Sequence, residues 1–118
     1  MNKKIISDHN TAIIESQTPI ITGGQSMLDL LADIYYNNDC TNLAINKEAF
    51  DESFFVLSSG VAGEVLQKVI NYSMKLAIFG DFSQYTSKPL KDFIYECNKG
   101  RSIFFVDTEQ QAIDRLMP

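Results

Sequence analysis

Cysteine is scarce in this sequence, and that scarcity removes one class of fold. Cys40 and Cys97 are too few and too far apart to build a disulfide framework. Both lie beside apolar helix or strand positions and read as small buried hydrophobes. Histidine occurs once, at His9, in a predicted hairpin turn. A Ser-His or Cys-His dyad is therefore not expected, and no zinc-ligand spacing is present. No apolar run approaches the roughly 20 residues that a membrane-spanning helix needs. Met1–Ile6 turns polar at Ser7-Asp8-His9-Asn10 before the apolar core of a signal peptide can form. The expectation is a soluble, cytoplasmic chain without a membrane partner.

Positive charge is also short. The net charge is −5; residues 1–59 carry three Lys against eight Asp and Glu, and residues 60–118 carry seven basic and seven acidic side chains. Neither half supplies the positive field that phosphate-backbone binding requires, so nucleic acid is not an expected partner. An acidic face suits either solvent or a basic protein. Repeats and Pro- or Gly-rich linkers are missing, and 118 residues match the size of one unit, so residues 1–118 read as a single domain. Gly60-Val61-Ala62-Gly63 is neither a dinucleotide fingerprint nor a phosphate loop, because the required glycines and lysine are absent. No cofactor, metal or catalytic residue is expected.

What is present is a regular alternation of periods. Ile5-Ile6 and Ala12-Ile13-Ile14 flank Asp8-His9-Asn10-Thr11 as a hairpin. Gly23-Gly24 breaks the chain, and Ser26 is placed as an N-cap with Asp29 three positions on. Met27, Leu30, Leu31, Ile34 and Tyr35 then recur at helical spacing, ending at Asn37-Asn38-Asp39. Leu43-Ala44-Ile45 reads as a short buried strand. Ser58-Ser59-Gly60 opens a helix whose apolar positions are Val61, Ala62, Val65, Leu66, Val69 and Ile70. Lys75–Phe79 suits a strand covered on both faces. Ser87 caps a third helix, with Pro89 in its first turn, buried positions Leu90, Phe93, Ile94 and Cys97, and a stop at Gly100. Ile103–Val106 is the last strand. Thr108 and Gln111 form a capping box for a final helix. The order ββαβαβαβα predicts an α/β domain: an N-terminal hairpin, then a mixed, mostly parallel sheet of about five strands with about four helices.

That order, with particular residues inside it, resembles the STAS (anti-sigma-factor-antagonist) domain over residues 43–116. Leu43-Ala44-Ile45-Asn46 stands where that family has a Leu-Asp-Leu strand. Phe54-Phe55-Val56-Leu57-Ser58-Ser59-Gly60-Val61 stands where it has an apolar pair leading into Asp-Ser-Ser-Gly-Leu, with Leu57 in place of the Asp. The segment before Ser58 is slightly longer than in the family. Lys75–Gly80 resembles the next strand, and Phe104–Thr108 followed by Ala112 resembles the last strand and helix start. In antagonist proteins the second serine is phosphorylated by a partner kinase, and the resemblance implies Ser59 for that role. As a whole the chain is more similar still to a bacterial domain of unknown function, DUF4180. Val61–Lys68, Gly80–Ser83 with Tyr85–Lys88, and Lys91–Asn98 carry that likeness, which implies no known activity.

Two segments stand out as sites. Ser58-Ser59-Gly60 offers hydroxyls at a helix start, where a serine oxygen accepts from an orphan N–H and an added phosphate would meet the positive dipole end. It is the candidate partner surface or phospho-switch, facing a kinase or regulator. Capping alone is the plainer reading. Gly80–Lys88 leaves the carboxyl end of a central strand, where ligands of open α/β sheets bind. Its Asp81, Ser83, Tyr85, Thr86, Ser87 and Lys88 could hold a small polar ligand, or simply form a turn and a cap. Glu64 near Ser59 could be a base, although a first-turn Glu is ordinary dipole compensation. The leading expectation is a non-enzymatic regulatory or interaction module, with small-ligand binding as the alternative. Both segments should share one edge of the sheet.

Overall fold

Five strands alternate with helices in the expected order, in a computed structural model that describes residues 1–117. β1 (Asn2–Ile6) and β2 (Thr11–Glu15) pair antiparallel, with Asn10 in the left-handed region between them at φ 53°. β3 (Asn42–Asn46), β4 (Lys75–Phe79) and β5 (Ile103–Val106) follow β2 in parallel. The sheet order is the chain order, β1-β2-β3-β4-β5. The helices are α1 (Gly24–Asn38), α2 (Val61–Asn71), α3 (Lys88–Lys99) and α4 (Glu109–Leu116).

Crossovers that share one hand and always step to the next strand place their helices on one face. Met27, Leu31 and Ile34 of α1, Ala62, Val65 and Val69 of α2, and Leu90 of α3 all enter one core with Ile14, Leu43, Ile45, Leu76 and Ile78. The alternate strand residues, Ile13, Ala44, Ala77 and Phe104, face the other way, against Ala112 and Leu116 of α4. Alanine at the two central positions leaves room for a helix to lie close on that face. Both faces are thus covered, which explains the nearly continuous apolar strands.

Two local expectations are corrected, and one apolar helix position lies exposed. Ser26 is not the N-cap of α1, because the helix begins two residues earlier. From the third helical position its Oγ reaches back to accept from the N–H groups of Thr22 and Gly23, at 2.9 and 3.2 Å. Tyr35, placed in the apolar stripe of α1 by periodicity, is 43% exposed, and Ile70, one of the apolar positions of α2, is 55% exposed. Ile34 and Val69 directly before them are fully buried, so the helices still lie on the core at that level, and Tyr35 and Ile70 sit on the flank that turns away from it.

The two sheet edges are finished differently. At β5 the Asn98 amide accepts from the Phe105 N–H at 2.7 Å and donates to its carbonyl at 3.1 Å, imitating a neighbouring strand. The Gln111 side chain accepts from the Asp107 N–H just beyond. At β1 no backbone hydrogen bond reaches the strand from outside its pairing with β2, among the described residues.

Candidate functional site

Because β2 to β5 are parallel, their carboxyl ends share one rim. Residues 47–60 leave β3 there and residues 80–87 leave β4, so both expected segments lie on it. The chain from 47 to 59 folds as short 3₁₀ turns around aromatic rings rather than as an open loop. Asp51 caps one turn by accepting from the Ser53 N–H, and this bonding with the Ser53 side chain holds its carboxyl below the usual aspartate range. Phe54 is fully buried, with its ring centre 4.7 Å from Phe50 and 5.0 Å from Phe55.

Ser58 and Ser59 sit in the last 3₁₀ turn, Leu57–Ser59, and Gly60 takes the N-cap position of α2 at φ 81°. The serine pair therefore precedes the helix instead of beginning it. The two hydroxyls also differ. Ser59 Oγ donates to the Ser53 carbonyl at 2.6 Å and accepts from the Val61 N–H at 3.2 Å, tying the turn to the first helical residue. Ser58 is exposed and its hydroxyl has no protein partner among the described residues. Glu64 does not face the serines. Its Oε1 accepts from the Gly24 N–H at 3.3 Å, compensating the start of α1.

The polar groups of the second segment are largely engaged by the protein itself. Asp81 accepts from the Ser83 N–H at 2.9 Å, Ser87 Oγ caps α3 by accepting from Leu90, and Lys88 pairs with Asp92 at 2.6 Å. Bonding to Ser83 lowers the Asp81 pKa. Tyr85 stacks on Phe55 at 4.7 Å and donates its hydroxyl to Glu52 at 3.1 Å. Burial, followed by the Glu52 carboxylate, raises the Tyr85 phenol well above the ordinary tyrosine value. The phenol stays protonated and can donate; it is not a base.

Lys47 completes the link, and periodicity gave no hint of it. Its side chain is only 9% exposed; Nζ donates to Gln84 Oε1 at 3.0 Å and lies 5.3 Å from the Tyr85 ring centre. A Cβ on Gly80, at φ 153°, would fall 2.8 Å from the Lys47 Cβ, so glycine permits this close approach. The only sequence signal was a lysine directly after a buried strand, opposite a glycine ending the next one.

Between the two segments lies a cleft of about 300 Å³ walled by Phe55, Val56 and Leu57, with Ser58, Ser87 and Pro89 also lining it. Ser58 and Ser87 are thus brought together, while Ser59, Asp81 and Lys88 are turned to local structure. Val56, 53% exposed, is an apolar contact that the sequence reading missed. His9 lies at the opposite rim, since the turn carrying it precedes Thr11, which pairs with the first residue of β3. No three His, Cys, Asp or Glu side chains gather as a metal site among the described residues, and no described helix is long and apolar enough to cross a membrane. The model of the family described as domain of unknown function DUF4180 matches residues 6–116. No curated protein and no solved structure matches the chain.

Proposed function

The chain belongs to the DUF4180 family, and from the geometry of its strand-end rim we propose that it is a non-enzymatic interaction module, recognising a protein segment at the cleft between residues 55–58 and 87–89. The observation that carries this reading is the convergence of the two segments on one apolar-walled cleft that Ser58 and Ser87 also line. Exposed Val56 offers an apolar contact beside it. Asp51 and Glu52 lie on the same segment, and the chain is acidic as a whole. The partner segment that fits is an apolar side chain flanked by Lys or Arg.

The likeness to STAS domains supports a regulatory setting and a kinase or regulator as partner. The engagement of the Ser59 hydroxyl favours Ser58 as the contacting group and Ser59 as the residue that holds the surface in shape. Binding of a small polar ligand by Asp81–Lys88 has less support, because Asp81, Gln84, Tyr85, Ser87 and Lys88 are already engaged by other groups of the protein. Cytoplasmic placement belongs to this same reading.

A photo-crosslinking residue at Val56 tests it. In cells we expect a discrete protein adduct at this position and none at Gln67, exposed on α2. Val56→Asp should abolish the partner's binding while the melting temperature stays within about 2 °C. Equal labelling at both positions would remove the proposal.

A further inference from the structure

The rim opposite the cleft, at the amino ends of the parallel strands, holds a second hollow of about 320 Å³. Three chain segments frame it and are tied to one another through the backbone. The Thr41 and Asn42 N–H groups donate to the Asn10 carbonyl at 2.9 and 3.0 Å, and the Lys75 N–H donates to the Thr41 carbonyl at 3.1 Å. The Asn42 side-chain amide also donates to the His9 carbonyl at 3.0 Å. The end of α4 supplies an apolar wall, Leu116 and Met117. Lys75, His9, Thr41 and Ser73 complete the lining. Ion pairs among the described residues use Lys3, Lys4, Lys47, Lys88 and Lys99, and none reaches Lys75. Among the same residues, His9, Thr41 and Ser73 are hydrogen-bonded through backbone atoms alone.

Charge selects the ligand class. The chain carries fifteen Asp and Glu against ten Lys and Arg, yet no carboxylate lines this hollow. The hollow at the end of β5, by contrast, is lined by Asp107 and Asp114 beside Arg115. We propose that the hollow at the amino-end rim binds a small organic carboxylate. The Lys75 ammonium is its counter-charge, the Ser73 and Thr41 hydroxyls and the His9 ring are donors to its oxygens, and its hydrocarbon part lies on Leu116 and Met117. One ammonium matches the single charge of a carboxylate, whereas a phosphate dianion would lack a second cation and leave the apolar wall uncovered. The volume is at the lower end of the range for small-molecule sites. Ser73 is held in place by its backbone, at φ 55° with its N–H on the Ile70 carbonyl at 2.9 Å. This site is remote from the cleft between residues 55–58 and 87–89 and does not rest on the function proposed there.

His9 is the only histidine, so its ring gives one isolated NMR signal on the full chain. At fixed pH and ionic strength, sodium butyrate should shift that signal saturably in the millimolar range, and sodium chloride should not. Lys75→Met should weaken the binding about tenfold, as loss of a charge-assisted hydrogen bond does. Ser73→Gly, which keeps the left-handed backbone and removes the hydroxyl, should weaken it about threefold. Lys91→Met, exposed on α3, should leave it unchanged. A shift that only grows linearly with butyrate would overturn the proposal, as would one that Lys75→Met leaves intact. Sodium phosphate binding as tightly as butyrate would overturn the assignment to a carboxylate. A lower melting temperature for Lys75→Met, with no butyrate response in the wild type, would give Lys75 to the end of α4 alone and remove the site. If Lys75→Met fails to fold, the wild-type titration and Ser73→Gly still decide.

Discussion

Ser58 and Ser59 are chemically identical neighbours with opposite uses, and the difference lies in one hydrogen bond each way. Ser59 donates to Ser53 and accepts from Val61, whereas Ser58 faces solvent. Ser59→Ala should therefore cost about 1–2 kcal/mol, as loss of two hydrogen bonds to backbone groups does. Ser58→Ala should change stability by less than about 0.5 kcal/mol while weakening partner binding. Chemical denaturation of both variants separates them; equal stability losses would mean that the hydroxyls do not divide their roles in this way. The Ser-Ser-Gly string marks the place but does not reveal the division, because either serine could reach the helix start until the 3₁₀ turns fix their directions. Lys47 was invisible for a similar reason. A lysine after a strand is ordinarily solvated, and its burial depends on Gly80 and Gln84, supplied by another strand and its loop.

Among the elements, α4 depends most on its surroundings. Eight residues are too short to be helical alone, and its capping box at Thr108 and Gln111 satisfies only the first turn. Ala112 and Leu116 hold it against the sheet over Ala44 and Ala77. Leu116→Ala should cost about 2–4 kcal/mol. Amide exchange in α4 should accelerate well before that in α2; uniform acceleration across the chain would show that α4 does not yield separately. The existence of all four helices was legible, since apolar spacing, Pro89 and the caps at Ser87 and Thr108 agree locally. Helix ends were less so. Ser26 binds backbone N–H groups from the third helical position as readily as an N-cap would, and periodicity does not fix how wide the covered stripe is beside Tyr35 or Ile70.

For the molecule as a whole, several carboxylates are held in their charged form by hydrogen bonds that exist only on folding. Asp33 is lowered by Asn37 and then Lys3, and Asp51 and Asp81 by their capped serines. A folded pKa below the unfolded value of 3.8 gives stability that is fully present above that value. It disappears as pH falls through the depressed folded values. Thermal melts should hold steady from neutral pH to the ordinary aspartate range and decline below it. Replacing Asp51 and Asp81 with Asn should flatten that decline; an unchanged slope would place the acid sensitivity elsewhere. The three groups lie on α1 and on both rim segments, so acid should loosen the cleft along with the fold.

The sequence by itself determined the α/β alternation, the order of elements and the mostly parallel sheet, because periodicity, caps and turn residues act over a few neighbours. It also placed both candidate segments at the same strand ends, since parallel strands send all their following loops to one rim. Long-range folding alone settled which serine hydroxyl is engaged, that Lys47 joins the two segments, and that Asn98 occupies the outward groups of Phe105 on β5 while β1 has no such partner among the described residues. Each of those outcomes needs groups distant in the chain to meet, and no local pattern records a meeting between residues that do not share a turn.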